Sequence, residues 1–106
     1  MMARYIITNR QEPIDFEIGD NRIARTVQNA KNLLMTQMGE VPYDRLRGFD
    51  PALYHMPIDR MRLALLPELD RMMMWEPDAA VAAATADIGE NHEILITVTI
   101  EVGISE

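Results

Sequence analysis

Trp75-Glu76-Pro77-Asp78 is the stretch that decides the fold, because a helical pattern ends on one side of it and a strand pattern begins on the other. Ahead of it, Leu65 to Met74 is apolar at helix-like spacings. Behind it, Ala79–Ile88 and Ile94–Val102 read as strands separated by a polar Gly89-Glu90-Asn91-His92 hairpin loop. Proline has no amide hydrogen and biases the residue before it away from the α region. The chain must therefore turn at Glu76, and corners of this kind are where a rigid scaffold presents side chains to a partner.

Working outward, the second helix is expected over Ile58 to Trp75, with a kink or a break and restart near Leu65–Pro67. Before it, Asp50-Pro51 has the form of a cap followed by proline at the first helical position, opening a short turn through Tyr54. Glu40 to Asp50 lacks periodicity and reads as a loop. Ile23, Val27, Ala30, Leu34 and Met38 form one face of a first helix, with Asp20 as N-cap and Gly39 as C-cap. Ala3–Thr8 and the alternating Ile14-Asp15-Phe16-Glu17-Ile18 read as strands that pair as a hairpin. In the last third, Ala80, Ala82, Ala84, Ala86 and Ile88 share one face, as do Ile94, Ile96, Val98, Ile100 and Val102. The order strands, helices, strands predicts one α+β domain over residues 1–106. Two main helices lie on one face of a small, mainly antiparallel sheet with a C-terminal β-hairpin.

Composition narrows the function classes. The 106 residues include no cysteine, which excludes a disulfide framework and thiolate chemistry. No apolar run is long enough to span a membrane, and the start carries no signal-peptide pattern. Through Arg71, ten basic residues balance ten acidic ones; after it come seven acidic residues and no Lys or Arg, so the whole net charge of −7 belongs to the last third. A surface of one sign disfavours nucleic acid and favours a basic partner surface, although a merely solubilising acidic face has the same composition. The nine methionines, three of them at Met72–Met74, suggest adaptable packing beside Trp75.

Chemical motifs are sparse. His55 and His92 lack metal-ligand spacing, no glycine-rich phosphate loop is present, and Ser105 is the only serine. No metal or cofactor is expected. Glycoside hydrolysis needs only two carboxylates at a defined separation, which Glu40, Asp44 or Glu76 would have to supply. Glu76 stands at a helix end where the dipole disfavours an anion, so it needs a donor or a cation. That partner is either within the chain (a backbone amide, Arg71 or Arg62) or on another molecule.

Leu34-Met35-Thr36-Gln37-Met38-Gly39-Glu40-Val41-Pro42, Gly48, Trp75-Glu76-Pro77 and the terminal hairpin together resemble the baseplate wedge and tail-sheath-initiator family. That family includes baseplate protein W of contractile-tailed phages and TssE of type VI secretion systems. The resemblance spans Asp15 to Val102. It departs from the family at Asp78, where the family's Glu-Pro-Arg signature has arginine. It implies a non-enzymatic structural protein of the virion tail baseplate, assembled in the bacterial cytoplasm and present in several copies around the tail axis. The implied partners are a baseplate wedge protein, met by Trp75, Glu76, Pro77 and Glu40, and the tail-sheath protein. The sheath protein would add a strand at the hairpin strand bearing Ile94, Ile96, Val98, Ile100 and Val102. A tail lysozyme, the older label for some members, and a stand-alone adaptor of the same fold are the alternatives.

Overall fold

A computed structural model describes residues 2–10, 21–40 and 46–103. The elements in order are strand β1 (Met2–Thr8), helix α1 (Asn21–Met35), a 3-10 turn (Pro51–His55), helix α2 (Ile58–Met72), a second 3-10 turn (Met73–Trp75), and strands β2 (Ala79–Ile88) and β3 (Ile94–Gly103). The three strands form one antiparallel sheet in the order β1-β3-β2, so the last strand is the central one. The fold is the α+β arrangement expected, with the β2–β3 hairpin at its end and the helices against the sheet.

The alternation in β3 explains why it is central. Ile96, Val98, Ile100 and Val102 are all buried and meet Ile7, Ala79, Ala86 and the apolar faces of both helices in a single core. α2 lies mainly over β2, and α1 over β1. Small side chains on β2 let α2 approach closely, while Met61, Leu65, Leu69 and Met72 fill the space above it. Between Asp78 and Asp87 the strand is free of charge, but its alanines do not form one face. The register shifts between Val81 and Ala83, so Ala79, Val81, Ala84 and Ala86 turn to the core side. Ala80, Ala83 and Thr85 pair with Glu101, Thr99 and Thr97 on the opposite, uncovered side. A β-bulge thus replaces the expected single face, because one extra residue reverses the parity of everything after it.

α1 stops at Met35, short of the expected Met38. The Thr36 hydroxyl donates to the Asn32 carbonyl at 2.6 Å, and the chain then pairs with Phe49: Phe49 N–H to Thr36 O at 2.8 Å and Met38 N–H to Phe49 O at 2.9 Å. Gly48 makes this approach possible, with φ of +105° and room for a Cβ only 2.4 Å from the Thr36 carbonyl oxygen. The Asp50 carboxylate caps the first 3-10 turn through Ala52 N–H at 3.0 Å, as its sequence suggests. Arg71 binds the loop down, donating to the carbonyls of Leu46 and Gly48 and to Glu68, whose other role is to accept from Asp50 N–H at 2.7 Å. The Glu68 hydrogen bond is the largest cause of a raised Arg71 pKa, which keeps the guanidinium charged.

α2 runs unbroken through Pro67, so of the kink or break and restart expected there, the break does not occur. The carbonyl deprived of its donor is that of Leu63, which is 83% exposed and so lies on the side where water reaches it. The expected strand Ile14–Ile18, the Asp20 cap and Asp44 lie outside the described residues; the described neighbour of β1 is β3.

Two substitutions test this packing by urea unfolding. Pro67→Ala restores the missing helical hydrogen bond and should raise stability by about 1–3 kcal/mol. Gly48→Ala forces a side chain into the left-handed region against Thr36 and should lower it by about 1–3 kcal/mol.

Candidate functional site: the helix-to-strand corner and the β2 edge

After Met72 the helix tightens into the Met73–Trp75 turn, and Glu76 adopts φ −137° and ψ 79°, outside the α region that the following proline disfavours. The backbone is tied on both sides, with Glu76 N–H to Met73 O at 3.0 Å and Ala79 N–H to Glu76 O at 3.2 Å. The corner expected from the sequence is therefore present. Its carboxylate, however, points inward. Glu76 is 6% exposed; one oxygen accepts from the Asn29 side-chain amide at 3.0 Å and the other from Asp78 N–H at 3.3 Å. Of the within-chain partners, a backbone amide is used, Arg71 and Arg62 are not, and Asn29 of α1 is the partner the sequence did not reveal. A surface asparagine on a helix is a common residue, and only the packing of α1 beside the corner gives it this role.

The expectation that Glu76 offers its charge to a partner is corrected by this geometry, because both oxygens are engaged below the surface. What the corner does present is Pro77, Asp78 and Met74, the last 72% exposed. Met72 and Met73 are buried, while Trp75 is half-buried with the Arg71 guanidinium 5.9 Å from its ring centroid. Glu40 is exposed in the turn after α1, its N–H bonded to the Gln37 carbonyl. No hydrogen bond or ion pair among the described residues joins Glu40 to Glu76.

Strand addition at Ile94, Ile96, Val98, Ile100 and Val102 is also corrected. β3 is paired on both sides, and all of these except the half-buried Ile94 are in the core. Neither hydrogen-bonding edge of β3 is free to take another chain. The sheet's two outer edges belong to β1 and β2, and the one that lies in the C-terminal hairpin is that of β2. Its geometry follows from Ile96, which accepts from Asn9 N–H at 3.3 Å and donates to the Asn9 side-chain oxygen at 3.0 Å, on the β1 side. In an antiparallel strand the N–H and C=O of one residue point the same way and successive residues alternate. Ile96, Val98 and Ile100 thus face β1, and their β2 neighbours Ala86, Ala84 and Val81 direct their backbone groups away from the sheet.

That edge is bracketed. At its start the Ala79 N–H is taken by the Glu76 carbonyl. At its far end Arg62 of α2 donates from Nε to the Ala86 carbonyl at 2.9 Å and lies 3.3 Å from Asp87 Oδ1. Val81 and Ala84 between them carry the outward groups that no described strand pairs.

Among the described residues, no group of three or more His, Asp or Glu is placed to hold a metal ion, and no helix is long and apolar enough to cross a membrane. Compared with protein-family models, with curated proteins and with solved structures, the chain gives no match.

Removing the Glu76 carboxylate strands the Asn29 and Asp78 donors. Glu76→Ala should therefore lower the unfolding free energy by about 1–3 kcal/mol in urea titrations, and a loss under a few tenths would show that the corner does not depend on it.

Proposed function

We propose that the chain is a non-enzymatic structural component of a contractile-tail baseplate, which joins a wedge protein to the first ring of tail sheath. The sequence motif that resembles sheath initiators motivates this reading. The observation that carries it is the β2 edge, a ten-residue strand whose outward backbone groups at Val81 and Ala84 have no strand partner among the described residues. An uncharged strand edge of this kind is a template for another chain's strand, with main-chain hydrogen bonds supplying affinity. The sheath subunit adds its strand beside β2, and β3 holds β2 in place from behind.

The wedge contact moves outward from Glu76 to the surface that Glu76 supports: Met74, Pro77 and the exposed part of Trp75, with Asp78 beside them. Exposed methionine and proline around a half-buried tryptophan suit an apolar contact. Asp78, standing where the resembling family has arginine, suits a partner with a cation at that place. The acidic last third points to basic partner surfaces in the same way. The function so described needs no bond chemistry and no cofactor, and it places the protein in the tail baseplate in several copies.

A proline at Ala84 removes an outward N–H without touching the β2–β3 ladder. Baseplates carrying Ala84→Pro should assemble their wedges yet fail to grow sheath, as seen by electron microscopy. Ala82→Lys with Ala83→Lys, at two exposed positions, provides a second block should the proline impair folding. Sheath of normal length on both folded variants would overturn strand addition at this edge.

A further inference from the structure

We infer that Arg62 is a latch that sets how much of the β2 edge a partner strand can use, an inference that rests on the strand-acceptor reading above. The Arg62 guanidinium bonds the Ala86 carbonyl at 2.9 Å and Asp87 at 3.3 Å, and it approaches Asp59 at 3.9 Å. Ala86 directs its N–H and C=O away from β3, as Ala84 and Val81 do, so the group Arg62 occupies is one that an added strand would need. With Glu76 O holding the Ala79 N–H at the other end, the length left open among the described residues is Val81 to Ala84. With Arg62 withdrawn it extends through Ala86 to Ile88.

The arrangement separates two kinds of occupant. A short or poorly matched strand finds only Val81 and Ala84, too few pairs to be held for long. A longer extended strand with an uncharged centre displaces Arg62 from Ala86 and takes the whole edge. The displaced guanidinium keeps Asp59 and Asp87 as partners, since both lie within its reach, so release does not strand its charge. Arg62 is half-exposed on the side of α2 next to β2 and can move without disturbing the core. An arginine over an edge carbonyl also discourages copies of this chain from joining through β2.

The test uses the intact chain and a synthetic peptide of the same length as β2, alternating threonine and valine with one lysine at each end to complement Asp78 and Asp87. Binding is read by fluorescence anisotropy and mapped by amide exchange, for the native chain, Arg62→Ala and Ala84→Pro. Arg62→Ala should bind the peptide about tenfold tighter, with new protection reaching Ala86 and Ile88, whereas Ala84→Pro should bind far more weakly. Equal affinity in the native chain and Arg62→Ala, with binding still lost in Ala84→Pro, would overturn the latch and leave the edge as a strand acceptor. Failure of the native chain and Arg62→Ala alike to bind would overturn both. Sedimentation of Arg62→Ala without peptide gives an independent reading: self-association absent in the native chain supports the guard, and an unchanged monomer at all concentrations counts against its role between copies.

Discussion

The sheet's dependence on β3 as its central strand governs the rest of the molecule. β3 buries Ile96, Val98, Ile100 and Val102 in the core and hydrogen-bonds to a neighbour on each side, so β1, β2 and both helices are organised around it. A strand in that position cannot itself receive a partner. The aliphatic last strand is therefore a keystone for folding, and its neighbours β1 and β2 carry the outer edges, that of β2 lying within the hairpin.

β2 is unlike an ordinary core strand in ways that follow from this position. Alanines make it thin enough for α2 to lie over it, and the bulge near Ala82 lets it twist at the sheet's border. Its two ends are closed by groups from elsewhere in the chain: the Glu76 backbone at the corner and Arg62 from α2. Glu76 has a dual part in this. Its carboxylate ties the corner to Asn29 of α1, and its carbonyl starts β2 through Ala79. A buried carboxylate with two donors is a firm fixture, since leaving those donors unpaired would cost more than the bonds contribute. The corner is thus built to hold Met74, Pro77 and Asp78 in fixed positions at the surface.

Much of the architecture was legible in residue order. Period-two aliphatics announced β3, helical spacing announced α1 and α2, Asp50-Pro51 announced a capped turn, and Glu76-Pro77 announced the corner. What stayed hidden has physical causes. In a run of alanines nothing marks which residue is extra, so the bulge that reverses the face of β2 left no trace in the pattern. Met38 continues the apolar spacing of α1, yet backbone pairing with Phe49, permitted by Gly48, draws the chain out of the helix first. Pro67 looked like a break, and only its position opposite the core makes the lost bond tolerable. Pairing of β1 with β3 joins residues near opposite ends of the chain, and periodicity carries no information about such partners. The candidate site suffered most from that last gap: with neighbours unknown, the strand addition that the resemblance implies was placed on Ile94–Val102, and the inward turn of Glu76 toward Asn29 could not be foreseen.

Native-state amide hydrogen exchange on the isolated protein tests the central claim most directly, because it reports which backbone groups are paired. The account predicts slow exchange along β3 and at Thr85 and Asp87, whose amides face β3, with fast exchange at Val81 and Ala84 on the outer edge. Val81 and Ala84 amides as protected as that of Thr85 would mean the β2 edge is covered in the folded chain, contradicting its proposed role as an acceptor strand.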